Sequence, residues 1–226
     1  MVSSIYKKTF SVLMKRPFRL WGISLLAEFL CLVAYAGFIG VPAAAFCAAL
    51  LLSASMSMIF LNSYRTGLEP KTTYLFASFK KDRILRVLGG MAWMQLWIFL
   101  WSLIPIVGIV FGIIRMYEYR FVPYILMTRD DVKPTDAIKI SKQETMGYKG
   151  KMFGADILLG AVYLGVFLVF TLLGEIPYLG VLFRILWVLI AIAYGLLAPL
   201  FCGIMQAAFY VEIQNRRAAG SWHPAA

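Results

Sequence analysis

Four ionisable side chains stand inside stretches of this chain that are otherwise apolar: Glu28, Arg115, Glu118 and Arg120. A charge in hydrocarbon costs about 2.5–3.5 kcal/mol on insertion scales, so it is kept only with a partner or beside water. Glu28 lies nine residues beyond Arg19, and Arg115 nine beyond Ile106. Each offset is about 13 Å at helical rise, which puts both near the midplane. The spacing predicts that both face the bundle interior and pair. Glu118, three residues from Arg115, is a competing partner. Arg120 and Asp156 lie nearer the basic side, within snorkelling reach of head groups. Two chemistries fit the cluster. One is a structural ion pair locking the first and fourth spans; the other is a polar cavity for a substrate head group or a proton.

Other chemistry has little to stand on. The single histidine, His223, is in the tail, so the apolar stretches hold no His-based triad or zinc site. There is no P-loop, no dinucleotide fingerprint and no paired-carboxylate spacing. The adjacent Asp130 and Asp131 read as a solvated helix end. Cys31, Cys47 and Cys202 have neither metal-ligand nor redox spacing and read as small apolar residues. No catalytic residue, metal ligand or cofactor is assigned.

The elements that must position these charges are membrane spans. The chain is 62% hydrophobic and 15% charged, with a mean hydropathy of +0.80, whereas soluble domains are about 45–50% apolar and about 25% charged. Apolar runs long enough to cross a bilayer recur along it. The reading is an all-α, polytopic membrane protein with spans at about 18–39, 42–63, 86–104, 106–127, 153–173 and 185–211. They form three proline-turn hairpins in one domain, 1–213, followed by a polar tail, 214–226. The first run is too long for a cleaved signal peptide. Pro123 is expected to kink the last turn of the fourth span, and residues 177–184 to lie in the outer interface.

Short interfacial helices are expected on the basic side. One covers 3–16, with Tyr6, Phe10, Leu13 and Met14 on one face. A second surrounds Leu75, Phe76 and Phe79. A third covers 136–148, with Thr135 as its N-cap.

The net charge of +11 is not that of a nucleic-acid binder, because its distribution follows the spans. Nineteen of the 22 basic residues lie in the N-terminal segment, two long loops and the tail. The positive-inside rule places those segments, and both termini, in the cytoplasm. Membrane lipids are therefore the expected partners, with anionic head groups on that face as a more specific reading. Ala45, Ala49, Ser53 and Ser57 recur at every fourth position, and Gly108 and Gly112 form a second small-residue pair. Such ridges let helices approach closely in lipid. They suit internal packing or a membrane-protein partner.

Two turns match each other: Ile104-Pro105-Ile106-Val107-Gly108 and Ile176-Pro177-Tyr178-Leu179-Gly180. The even spans end alike in Ser63-Tyr64-Arg65, Tyr119-Arg120 and Phe209-Tyr210, consistent with a repeated hairpin. Trp101, Ile104-Pro105, Arg115, Tyr119 and Pro123-Tyr124-Ile125-Leu126 are followed by Ala137, Ser141, Met146, Gly147 and Phe153, then by Pro177-Tyr178 and Phe209-Tyr210. With these residues, 60–213 resembles the uncharacterised bacterial membrane family called domain of unknown function 975. Val107 departs from the glycine expected there, which Gly108 supplies one residue later. The resemblance implies a multi-pass protein of the bacterial cytoplasmic membrane and implies no activity. The functional expectation is a non-enzymatic protein handling a lipid, peptide or small amphiphile between its helices. The alternative is an accessory or scaffold subunit of a membrane complex.

Overall fold

The structure is a computed structural model that describes residues 1–15, 17–37, 42–67, 71–105, 107–176 and 178–219. It is all-helical: 87% helix with no strand among the described residues. The order is α1 (Val2–Lys15), α2 (Pro17–Gly37), α3 (Pro42–Thr66), a 3-10 helix (Thr72–Phe79), α4 (Ile84–Ser102), α5 (Val107–Glu118), α6 (Val122–Thr128), α7 (Pro134–Thr145), α8 (Lys149–Leu173) and α9 (Gly180–Ala218). Five of these, α2, α3, α4, α8 and α9, are long and apolar enough to cross a membrane. Of the proline turns expected between paired spans, Gly40 and Val41 of the first and Pro177 of the third fall outside the described residues, and Pro42 begins α3.

The expected fourth span is not one helix. It divides at Tyr119–Phe121 into α5 and α6. Pro123 explains the position of the break. It has no N–H to give to the carbonyl of Tyr119, and its ring would clash with that carbonyl in a continuous helix. The Tyr119 carbonyl instead accepts the Val122 N–H at 3.0 Å, a tighter closure. Pro123 thus opens a new helix rather than kinking the end of an old one, where its fixed φ is favourable.

The core sits at the basic end of the bundle, around α6. Val122, Tyr124, Ile125, Leu126 and Met127 are all buried, enclosed by α3, α4 and α7. The last part of α9 packs beside them, with Leu200, Ile204, Met205, Phe209 and Tyr210 buried. Tyr124 stacks on Tyr210, their ring centres 5.2 Å apart. Two glycines permit the close crossings. A Cβ on Gly203 would enter the ring of Phe60 on α3, and one on Gly90 would lie 2.5 Å from Leu126 Cδ1. At the opposite end, α8 and the first half of α9 are almost wholly uncovered. They hold each other by aromatic contacts, including Tyr163 on Tyr194 at 4.1 Å and Phe167 on Trp187 at 5.2 Å.

Several local expectations change. The buried face of α1 is Ile5, Thr9 and Leu13, with Val2 and Tyr6 half-buried, while Phe10 and Met14 are exposed, because a step of four residues advances about 40° and carries the row from Tyr6 through Phe10 to Met14 off that face. The segment around Leu75 is a 3-10 helix. α7 starts at Pro134, with Lys133 rather than Thr135 in the cap position, and ends at Thr145. Gly147 then turns the chain at φ +79°, a conformation that favours glycine. α9 runs unbroken through Pro199 from Gly180 to Ala218, so residues 180–184 and 214–218 belong to the helix. Its far end is tied down where Arg217 donates to the carbonyl of Gln143 at 2.7 Å.

Candidate functional site

A helix break inside a buried layer exposes backbone groups that need partners. α7 supplies them. Ser141 Oγ donates to the carbonyl of Glu118 at 2.6 Å and accepts the N–H of Phe121 at 3.2 Å. Thr145, one turn later on the same buried face, also reaches the Glu118 carbonyl, at 3.4 Å. The C-terminal end of α6 is held from α4. Arg86 donates to the carbonyls of Leu126 at 2.9 Å and Arg129 at 2.8 Å, and pairs with Asp130 at 2.7 Å. The short helix is therefore clamped at both ends by side chains of its neighbours.

The charges gather around this break in two groups. Glu118, buried, pairs with Arg115 on its own helix and with Lys149 of α8 at 2.6 Å. Arg115 also lies over the ring of Trp101, 4.9 Å from its centre. Arg120, in the break itself, pairs with Asp156 of α8 at 2.7 Å, and Tyr117 donates to the same carboxylate oxygen at 2.7 Å. The second oxygen of Asp156 is buried with no hydrogen-bond partner among the described residues. Tyr6 of α1 fastens the same turn of α8, donating to the carbonyl of Ala155 at 2.6 Å. Burial, and then the nearby charge of Asp156, push the Tyr6 phenol above its ordinary pKa.

Beside the break is a cavity of about 320 Å³. Its lining includes Arg120, Tyr117 and Tyr119, Gln95 of α4, Gln206 of α9, the α3 serines Ser53 and Ser57, and Met91, Met94 and Met116. Arg120 is already neutralised by Asp156, so what the cavity offers a guest is mainly uncharged donors and acceptors. Among the described residues, no three His, Cys, Asp or Glu side chains are grouped to hold a metal ion.

The pairing expected between Glu28 and Arg115 does not form. Arg115 pairs one turn away on its own helix, where the i, i+3 geometry brings Glu118 to it without reaching across the bundle. α2 packs on α3 and α9, whereas α5 packs on α4, α7 and α8. Glu28 is exposed on the outer face of α2, in a groove against α3. The small-residue ridge is divided: Ala45 is buried, Ala49 and Ser57 are half-buried, and Ser53 is exposed. Gly108 packs against Ile104 and the Trp101 carbonyl, and Gly112 against Ser102 Oγ, so this pair closes the α4–α5 hairpin.

Residue-level chemistry overlooked Arg86, Gln95, Thr145 and Gln206, and it noticed Ser141 only through the family resemblance. Gln95 and Gln206 carried a usable signal, being polar groups in apolar runs like the charges. Ser141 and Thr145 stand at i, i+4, as a buried helix face requires. No family model matches this chain, and no curated protein or solved structure matches it.

Proposed function

We propose that this chain is a non-enzymatic multi-pass membrane protein that holds the polar head of a small amphiphile, lipid or peptide in the cavity beside Arg120. The observation that carries this reading is a pocket lined by two carboxamides, two serine hydroxyls, two tyrosines and a neutralised arginine within an apolar helical layer. Gln95 lies nine residues beyond Arg86 and Ser57 eight before Arg65, so the polar lining is about 12–13 Å above the basic end. A guest there leaves its polar part in the cavity and its apolar part among the exposed outer helices. The six-crossing arrangement belongs to this reading, the fourth crossing being made by α5 and α6 together. So does a bacterial cytoplasmic membrane with both termini inside, on the positive-inside rule. The proposed kinship with domain of unknown function 975 draws on residues concentrated at the break, among them Pro123, Tyr124, Ala137 and Ser141.

The alternative, an accessory subunit of a membrane complex, is favoured by one observation: α8 and the first half of α9 are covered by little except each other. Mass spectrometry of molecules retained after purification from native membranes separates the two. The cavity reading expects a retained amphiphile that is depleted in Gln95→Leu and Ser57→Val. Identical retained molecules in the parent and both variants would overturn it.

A further inference from the structure

Glu28 is a carboxylate at the middle of a membrane-length helix, exposed on the outside of the molecule. It lies about 13 Å from Arg19 and about 13 Å from Gly37 along α2, so head groups at either surface are far from it. It makes no hydrogen bond or ion pair among the described residues. Intramembrane charges ordinarily face the interior or a partner, because hydrocarbon does not solvate them. Here the interior is not available.

Around the carboxylate is a groove of about 410 Å³ between α2 and α3. Ala27, Cys31 and Tyr35 line it from α2, Ala49 and Ser53 from α3. Small side chains at this depth let another helix backbone come close. A second copy of this chain would be a poor occupant. The basic residue at comparable depth, Arg115, is held by Glu118, and Arg120, nearer the basic side, by Asp156, so a second copy brings no free cation to the midplane.

We infer that this groove docks a transmembrane helix of another protein carrying a lysine or arginine near its midpoint. The lysine or arginine neutralises Glu28, and the small-residue floor at Ala49 and Ser53 seats the helix. Ser53 lines both this groove and the cavity beside Arg120, but Glu28 and Ala49, the positions tested, line only the groove, so loss of ligand binding in the cavity leaves this inference untouched.

The test uses the full chain, donor-labelled, in phosphatidylcholine vesicles with acceptor-labelled synthetic leucine-alanine helices of about 20 residues. One helix carries a central lysine and the other a central leucine. The lysine helix should associate roughly threefold to tenfold more tightly than the leucine helix, the range of an interhelical polar contact in lipid. Glu28→Gln should abolish the difference. Ala49→Leu, which fills the groove and keeps the carboxylate, should weaken association of the lysine helix, and it decides the matter if the first variant does not fold. Equal association of both helices, or a preference that survives in Glu28→Gln, would overturn the inference. Transfer between donor- and acceptor-labelled copies of this chain that disappears in Glu28→Gln would assign the groove to a second copy instead.

Discussion

Ser141 donates its hydroxyl hydrogen to the carbonyl of Glu118 across 2.6 Å, and this bond marks where one apolar stretch becomes two helices. The same oxygen accepts the N–H of Phe121, so a single hydroxyl of α7 bridges the end of α5 and the start of α6. The break places Arg120 at the cavity, and the charges of α8 meet it there. The arrangement of the candidate site follows from that bridge.

Removing the bridge should be expensive. Ser141→Ala leaves a buried N–H without its partner and the Glu118 carbonyl with only the longer bond from Thr145. The expected loss is about 1–3 kcal/mol, read as a lower melting temperature in detergent. Unchanged stability would mean that the break is held by Pro123 and packing alone.

Arg86 should be irreplaceable by lysine. Its fork reaches two carbonyls and Asp130 at once, a geometry that a single ammonium does not reproduce. Arg86→Lys should cost about 1.5–3 kcal/mol and speed amide exchange selectively at the end of α6. Uniform exchange rates across the chain would count against a capping role.

Gly203 and Phe60 should behave as one unit. Gly203→Ala forces a methyl into the Phe60 ring and should destabilise by about 1–3 kcal/mol. Phe60→Leu makes room, so the double variant should be more stable than the sum of the single losses predicts. Simple additivity in a double-mutant cycle would show that the two do not touch in the folded protein.

The two glutamates inside apolar helices should respond in opposite ways. Glu118→Gln strips a buried carboxylate from Arg115 and Lys149 and should cost about 3–5 kcal/mol, the range for breaking a buried pair. Glu28 has no internal partner among the described residues, so Glu28→Gln should change the stability of the isolated protein by less than about 0.5 kcal/mol. Equal losses at both positions would mean that Glu28, like Glu118, is held by an internal partner.

Composition and periodicity alone determined that this is an all-helical protein with membrane-length apolar helices, because the hydrocarbon layer imposes length and apolarity on any crossing. The same rule made Arg115, Glu118, Arg120 and Asp156 conspicuous, as charges that lipid does not solvate. Only the tertiary structure decided which charges meet. Arg115 found Glu118 locally, and Arg120 found Asp156 on α8, because the break turned it there. Glu28 was left outside, since depth can be counted along a helix but facing depends on which neighbours it packs against. The bridge from Ser141 shows the same limit: a hydroxyl looks ordinary in sequence until another helix presents unpaired backbone groups to it.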